Sequence, residues 1–483
     1  MTNVKNTLFI FSDEHTRDIT GCYGDPLVKT PNLDRLAARG VRFDNAYTNC
    51  PICVPARASL ATGRYVHDNK SWDNAHPYTG MPEAWGHVLK RAGHEVVATG
   101  KLHMRDSETD NGHSLEIETL HVVDGIGDIA GCNRDELVER GSAKTMARDA
   151  GAGNSTYSAY DARTTDNAIA WLRENGTETG GKPWVLYAGL TLPHFPLICP
   201  QEFYDLYDGV DLPAPRFNAE DAQPNHPYLR KLRETIAYDK YFDEERRRVA
   251  IQAYYGMVSY LDHQIGRMLS TLEELGQLEN TLILYSSDHG EMLGNRGYWG
   301  KSVFFEESAA IPMILAGPGV PEGAVVKTPV SLVDVHPTML EACGMPPEAG
   351  LPGRSLFGFI AKEDPDRAVF GEYHAIGACT GAFMLRWRNW KYTYYVGFAP
   401  QLFDLDTDPD ELIDLAPDAT HAPTLEACEA RLRQIVDPEA VSAEAFESQR
   451  AKIADFGGME AVLARGDFPH TPAPGEKAEF TPR

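Results

Sequence analysis

A cysteine followed by a proline and an arginine, Cys53-x-Pro55-x-Arg57, is the stretch of this sequence best suited to chemistry. The residues that follow it, 56–62, have the composition of the first turns of a helix. A nucleophile there would lie in the partial positive charge of a helix N-terminus, which favours an anionic substrate group beside it. Two simpler interpretations stay open. One is a buried cysteine beside a proline turn, and the other is a redox pair with Cys50, which completes a Cys-x-x-Cys.

Ionisable residues also follow several short apolar runs that are typical of buried parallel strands. Ligand sites in an open α/β sheet lie at the carboxyl ends of the strands, so these residues are expected to gather at one edge. They are Asp13 and Glu14 after 7–11, Lys101 and His103 after 95–99, His194 after 184–190, Asp288 and His289 after 281–285, and Lys301 farther along that last loop. Each one alone has an ordinary explanation as a turn cap, an exposed strand end or a structural histidine. Only their convergence predicts a site.

Five of these motifs, in the same order, resemble those of the type I sulfatases in the alkaline-phosphatase-like superfamily, over roughly residues 5–410. The Ser-Asp-His-Gly-Glu at 287–291 and the Gly-Tyr-Trp-Gly-Lys at 297–301 are most similar to the choline-sulfatase and phosphonate-monoester-hydrolase members. In that family a formylglycine-generating enzyme oxidises the cysteine to formylglycine. The resemblance therefore implies a formylglycine at Cys53, whose hydrate is the nucleophile.

The chemistry that this resemblance implies is displacement at sulfur, followed by collapse of the sulfated hydrate to the aldehyde. Two hydroxyls on one carbon explain why an aldehyde is useful, because an ordinary serine or cysteine would leave a stable covalent ester. The implied roles are hydrogen bonding of the hydrate by Arg57, charge neutralisation by Lys101 and Lys301, protonation of the leaving alcohol by His194 with Lys301, and deprotonation of the second hydroxyl by His103.

A divalent cation is implied at the same place. Asp13, Asp288 and His289 would hold it together with an oxygen of residue 53. Carboxylate-rich ligation suits Ca²⁺, Mg²⁺ or Mn²⁺ better than zinc, and we expect Ca²⁺ first. Many members of the family carry a second Asp where this chain has Glu14, so Glu14 is a further candidate ligand. Asn is found in some members where His289 stands, and the imidazole keeps Mn²⁺ open beside Ca²⁺.

Two alternative functions compete with hydrolysis of a sulfate ester. A phosphonate monoester hydrolase or phosphodiesterase would use nearly the same site, although Lys101 and His103 favour sulfate esters. A binding protein on a decayed enzyme scaffold would keep an unmodified thiol at residue 53 and would show no turnover.

Composition limits the partners. The 483 residues are 42% hydrophobic and 24% charged, with a formal net charge of −25, as in an acidic globular protein. This charge argues against nucleic acid or an anionic membrane as a partner and favours a small anionic substrate entering a locally positive site. No signal-like segment precedes the first apolar run. The sequence therefore predicts a cytoplasmic location, with a mature secreted or periplasmic form as the alternative.

The element pattern predicts an α/β fold, with a large, mostly parallel sheet flanked by helices and a small C-terminal antiparallel sheet with a helix. We expect a catalytic domain over 1–365 and a C-terminal subdomain and tail over 366–483. A hairpin is expected around Arg388-Asn389, and a long helix over 244–275. No chemistry is assigned to the polar stretch 106–156. The tail after about 456 suggests an arm onto a neighbouring subunit, and hence a homo-oligomer.

Overall fold

The computed structural model describes residues 5–135, 137, 139–140, 142–177, 181–219 and 223–481. The first four residues of the chain lie outside these ranges. In the described part the strands are β1 (Asn6–Asp13), β2 (Gly40–Phe43), β3 (Ala46–Tyr47), β4 (Val96–Lys101), β5 (Leu115–Leu120), β6 (Gly151–Ala152), β7 (Val185–Pro193), β8 (Ile198–Cys199), β9 (Thr281–Ser287), β10 (Met313–Ala316), β11 (Ala324–Val326), β12 (Val330–Ser331), β13 (Ala368–Tyr373), β14 (Ala382–Trp387), β15 (Trp390–Tyr395) and β16 (Gln401–Asp404).

The α-helices of the same ranges vary from single turns to one helix of 31 residues. They are α1 (Pro31–Ala38), α2 (Cys53–Thr62), α3 (Val66–Asn69), α4 (Trp85–Arg91), α5 (Ser142–Asp149), α6 (Thr156–Asn175), α7 (Gln201–Tyr204), α8 (Pro227–Thr235), α9 (Glu244–Glu274), α10 (Glu306–Ala309), α11 (Val335–Ala342), α12 (Leu356–Ala361), α13 (Ala422–Ile435), α14 (Pro438–Asp455) and α15 (Gly458–Arg465). None of the helices in the described ranges is both long and apolar enough to cross a membrane.

An eight-stranded sheet with the order β11-β2-β10-β9-β1-β7-β4-β5 forms the centre of the molecule. Neighbouring strands run parallel, except that β10 is antiparallel to both β9 and β2. The predicted α/β class with a mostly parallel sheet is confirmed. Because β1 lies between β9 and β7, the sheet brings the ends of β9, β1, β7 and β4 next to one another.

Successive apolar side chains of the central strand β1 point to opposite faces of the sheet, and helices cover both faces. Leu8 and Ile10 belong to one buried cluster, with Leu261 and Ile265 of α9. Phe9 and the other residues that point the opposite way belong to a second cluster, with residues of α2, α4 and α11. Burial on both faces requires the near-continuous apolar runs seen in the sequence.

A pair of glycines lets β4 and β7 approach closely just before the site. Gly100 and Gly189 are partners in the register of these two strands. A Cβ atom on Gly100 would lie 2.0 Å from the Gly189 carbonyl oxygen, and Gly100 also has a φ of +84°. Only glycine tolerates both conditions, so this pair fixes the strand end that carries Lys101.

The small C-terminal sheet has the order β13-β14-β15-β16 and is antiparallel throughout. The predicted hairpin is confirmed, because Trp387 pairs with Trp390 across a two-residue turn at Arg388 and Asn389. A buried ion-pair network ties this sheet to the large one: the Lys391 ammonium lies 2.8 Å from Glu306 and 2.9 Å from Glu411.

The end of the chain packs against its own active-site cavity. Residues 468–471 line the cavity above Cys53. The backbone groups of Asp467 and Thr481 pair with each other in both directions, which closes the segment into a loop. The expected contact of this tail with a neighbouring subunit stays a prediction.

Candidate active site

Cys53 is the first residue of α2 and is 1% exposed. The backbone N–H of the next residue, Val54, donates to Oδ1 of Asn74 at 3.1 Å, which satisfies one of the free N–H groups of the helix start. The Cys53 sulfur lies 3.2 Å from Nε2 of His289, 3.4 Å from Nζ of Lys301 and 3.5 Å from Oδ1 of Asp13. Residues from two distant parts of the sequence, around 13 and over 289–301, therefore surround one sulfur.

Four side chains form a compact donor set. One ligand atom from each of Asp13, Cys53, Asp288 and His289 lies within 4.8 Å of the others, and all four residues are buried. Nδ1 of His289 is 3.0 Å from the Gly290 carbonyl, to which it donates as N–H, so Nε2 keeps its lone pair for the cluster. Two carboxylates, an imidazole and residue 53 can hold a divalent cation between them.

Glu14, the fifth predicted ligand, is displaced from this set. It forms a neighbouring group with Asp13 and His194, in which its Oε2 lies 3.3 Å from Nε2 of His194 and accepts a hydrogen bond from Lys301 at 3.0 Å. Burial, opposed by Lys301, raises the pKa of Glu14 to about 8. The longer side chain places the carboxyl beside His194 and Lys301, in a second group that could hold a metal ion, and its role as a ligand stays a prediction.

Arg57 is bound to the carboxylates behind residue 53. It is 3% exposed and forms ion pairs with Asp13 and Asp288, neither of which is exposed. The five N–H groups of its guanidinium meet the acceptors Oδ2 of Asp288, Oδ2 of Asp13, the carbonyls of Lys101 and Ser12, and the Tyr187 hydroxyl. A guanidinium has five donors. The expected hydrogen bond from Arg57 to residue 53 is not among these contacts, and the geometry makes Arg57 a positioning residue for the ligands.

Two lysines lie near Cys53, one at the end of a strand and one in the connection between β9 and β10. Nζ of Lys101, at the end of β4, lies 2.7 Å from Oδ2 of Asp13. Nζ of Lys301 lies 3.4 Å from the Cys53 sulfur. The site therefore holds two ammonium groups in a protein of net charge −25, and such groups attract a small anionic substrate.

Two histidines line the same cavity. Nδ1 of His194 is 2.6 Å from the Phe195 carbonyl, to which it donates, and its ring stacks on Phe195. His103 lies two residues after Lys101, with a left-handed φ of +58°, and its Nε2 is 3.0 Å from Oγ1 of Thr471. Burial lowers the pKa of both imidazoles well below the usual value, so in the absence of bound ligands both are neutral.

Burial also sets the charge of Cys53 and of His289. Burial, reinforced by Asp13, raises the pKa of the Cys53 thiol. An unmodified cysteine would therefore stay protonated and be a poor nucleophile. Burial, reinforced by Lys301, lowers the pKa of His289 to about 3. That imidazole is neutral, as a metal ligand must be.

The two carboxylate ligands differ in their tendency to ionise. Burial opposes the charge on Asp13, but neighbouring cations, Lys101 foremost, hold its pKa well below the usual value. Burial and the charge of Asp13 raise the pKa of Asp288 to about 7. A divalent cation beside both would favour the ionised form of each.

Several residues of the cavity carried no signal in the sequence. Those residues of its wall above Cys53 are Asp128, Arg140, Tyr157, Ile376 and residues 468–471. Asp128, Arg140 and Tyr157 come from, or lie beside, the polar stretch to which the sequence analysis assigned no chemistry. Their order along the chain gave no motif, and only the tertiary fold brings them to the site.

Comparison with known proteins gives matches over most of the chain. The sulfatase family model matches residues 5–345, and a model described as N-sulphoglucosamine sulphohydrolase, C-terminal, matches residues 294–437. The choline-sulfatase of Rhizobium meliloti (strain 1021) is 32% identical over 428 residues, covering 86% of this chain and 83% of the relative. The arylsulfatase K of Bos taurus is 29% identical over 474 residues, with coverages of 92% and 83%.

Solved structures share the fold. The phosphonate monoester hydrolase of Agrobacterium radiobacter superposes with a TM-score of 0.72 at 24% identity, covering 91% of this chain and 96% of the other. A protein solved in complex with its substrate D-glucosamine-2-N,6-O-disulfate gives a TM-score of 0.73 at 21% identity, with coverages of 93% and 99%. Since the family model spans most of the sequence and a curated relative exceeds 30% identity over 86% of it, the chain belongs to the sulfatase family.

Proposed function

We propose that the protein hydrolyses a small sulfate ester to an alcohol and sulfate, with a formylglycine made from Cys53 as nucleophile. The observation that carries the proposal is the convergence on one buried sulfur of a carboxylate, an imidazole and a lysine ammonium, each within 3.5 Å. Family membership supports the reaction class. The protonated state of an unmodified Cys53 supports the need for the modification.

The residues present fit a divalent cation, for which we propose Ca²⁺. Asp13, Asp288, His289 and residue 53 would hold it, and the orientation of His289 set by Gly290 supports this assignment. When bound, such a cation would lower the pKa of a hydroxyl of residue 53 and polarise the sulfuryl group. Arg57 holds both carboxylates through ion pairs, and it is not among the residues that line the cavity above Cys53.

In the first chemical step, one hydroxyl of the residue 53 hydrate attacks sulfur as its proton passes to Asp288, and the bond from sulfur to the alcohol oxygen breaks with its electron pair on that oxygen. Lys101 and Lys301 would balance the charge on the non-bridging oxygens, because the Lys301 ammonium contacts residue 53 and the Lys101 ammonium contacts the neighbouring Asp13. His194, which lines the cavity, would give a proton to the leaving alcohol. Because the free imidazole is neutral, substrate binding would have to bring in that proton.

The second step restores the aldehyde. His103 would take the proton of the remaining hydroxyl. The oxygen of that hydroxyl would then form the carbonyl of the aldehyde, and the bond from carbon to the sulfate oxygen would break. The neutral state of His103 suits this role. Water then adds to the aldehyde and regenerates the hydrate.

The decisive experiment has two arms. Peptide mass spectrometry of the residue 53 fragment, from a host that contains a formylglycine-generating enzyme, should show the aldehyde in place of the thiol. The same material should have a higher kcat/KM on an aryl sulfate than on the matching aryl phosphonate monoester. A clear phosphonate preference would replace the proposal by a phosphonate monoester hydrolase, and an intact thiol without turnover would favour a binding protein.

Further expectations belong to this proposal. Maturation requires the formylglycine-generating enzyme as a transient partner, and the substrate is a small anionic sulfate ester. A cytoplasmic location and a division of the chain at residue 365 remain predictions. Cell fractionation would test the location, and limited proteolysis near residue 365 would test the division.

A further inference from the structure

A hydrogen bond from the far end of the chain reaches one of the two cavity histidines. Nε2 of His103 and Oγ1 of Thr471 are 3.0 Å apart, both are buried, and 368 positions separate them in the sequence. The matched family models end at residues 345 and 437. The segment that carries Thr471 therefore lies outside the part of the chain that those models cover.

This segment is fixed against the site through its backbone. The Tyr157 hydroxyl donates to the Thr471 carbonyl at 2.7 Å, and the Tyr157 ring packs edge-on against His470 at 5.1 Å. Asp467 lies 3.5 Å from Arg140 and pairs with Thr481 through backbone groups. Since these contacts do not use the Thr471 hydroxyl, the segment would stay in place without that group.

The remaining nitrogen of His103 is the one free to react. Among the described residues, Nδ1 of His103 has no hydrogen-bond partner, although it is buried and its residue lines the cavity with Cys53. A neutral imidazole carries one N–H and one lone pair. If Nε2–H donates to the Thr471 hydroxyl, the lone pair lies on Nδ1. His103 can then accept a proton through Nδ1.

We propose that Thr471 is a positioning residue, which holds His103 in the tautomer that accepts the proton of the second hydroxyl during sulfate release. This inference rests on the proposed function. In that step the O–H electron pair becomes the second bond of the aldehyde carbonyl, and the carbon–oxygen bond to sulfate breaks with its pair on the sulfate oxygen. The proton goes to Nδ1 and afterwards to water.

Thr471→Val removes the acceptor and keeps the branched shape. We expect kcat to fall about tenfold to a hundredfold, taking as the scale the loss found when the hydrogen-bond partner of a metal-bound histidine is removed, with KM changed much less. Because only the second step is slowed, one alcohol per active site should be released in a burst. The residue 53 peptide should also accumulate the mass of one SO₃ group. Thr471→Ser keeps the hydroxyl and should restore kcat and abolish the adduct.

Glu476→Gln, an exposed change on the same segment, is the matched control and should behave as wild type. Unfolding temperatures of all variants, and a crystal structure of Thr471→Val, report whether the segment and the ring stay in place.

Equal kcat in Thr471→Val and wild type overturns the inference, as does equal loss in the Val and Ser variants. A burst without adduct in a folded Thr471→Val also overturns it. A wild-type enzyme with verified formylglycine but no sulfatase turnover overturns the proposed function and this inference together.

Discussion

Replacing Arg57 by methionine tests whether this residue holds the cation ligands together. The change keeps an unbranched stem but removes the charge that lies 2.9 Å from Oδ2 of Asp288 and 3.1 Å from Oδ2 of Asp13. Both carboxylates are fully buried. Removing one partner from a buried ion pair typically costs about 3–5 kcal/mol, because the remaining charge is left uncompensated. We take that range as the loss in free energy of unfolding without a divalent cation.

The loss should depend on the cation. Globular proteins unfold with an entropy of about 2.1 cal/mol/K per residue, so the unfolding entropy of a chain of 483 residues is about 1 kcal/mol/K. Dividing the loss in free energy by this entropy gives a Tm about 3–5 °C lower for the variant in chelator. A divalent cation between the two carboxylates would supply the missing positive charge. Saturating Ca²⁺ should therefore reduce the difference from wild type to less than about 2 °C, and it should stabilise the variant more than wild type.

The assay is thermal unfolding of wild type and Arg57→Met, each with chelator and with Ca²⁺. Lys70→Met is the control, because Lys70 pairs with Glu444 at 2.5 Å with both side chains half exposed. Such surface pairs contribute about 0–1 kcal/mol, so the control should change little and respond to Ca²⁺ as wild type does. An equal loss for Arg57→Met with and without Ca²⁺ would refute the view that Arg57 acts through the cation ligands.

Three further predictions use other parts of the structure. His289→Ala should weaken Ca²⁺ binding, measured by calorimetry, because it removes a buried donor of the set; unchanged affinity would exclude His289 as a ligand. His194→Ala should lower the hydrolysis rate more for aryl sulfates with poor leaving groups than for those with good ones, because only poor leaving groups need a proton. An equal loss of rate across the series would contradict the role of His194 as the acid. Lys391→Met should lower the free energy of unfolding by about 3–5 kcal/mol, because Glu306 and Glu411 lose a shared buried partner; chemical denaturation that shows less than about 1 kcal/mol would contradict this.

The sheet and the strand-end residues could be predicted because their signals are local. Each buried strand is an apolar run that alternates between two clusters, and the residues after it lie at the same edge by the geometry of a parallel sheet. Asp13, Lys101, His194 and Asp288 were expected together for this reason, and the structure brings them together. Their proposed roles in the reaction stay predictions until the variants are measured.

Two expectations concerning single residues stay predictions, because they depend on side-chain reach. Glu14 was expected beside the cation, but its carboxyl lies with His194 and Lys301. Arg57 was expected to bind the hydrate, but protein acceptors occupy its N–H groups. In both cases the backbone position was predicted from the motif, while the packing of neighbouring charges decided where a long side chain ends.

The sequence alone determined the fold class, the order of the motifs and the edge of the sheet at which they meet, since hydrophobic periodicity and short motifs are properties of neighbouring residues. Only the tertiary structure decided which partner each ionisable group has and what closes the cavity. Thr471 reaches His103 across 368 positions, and no local pattern encodes a contact that depends on how the whole chain packs.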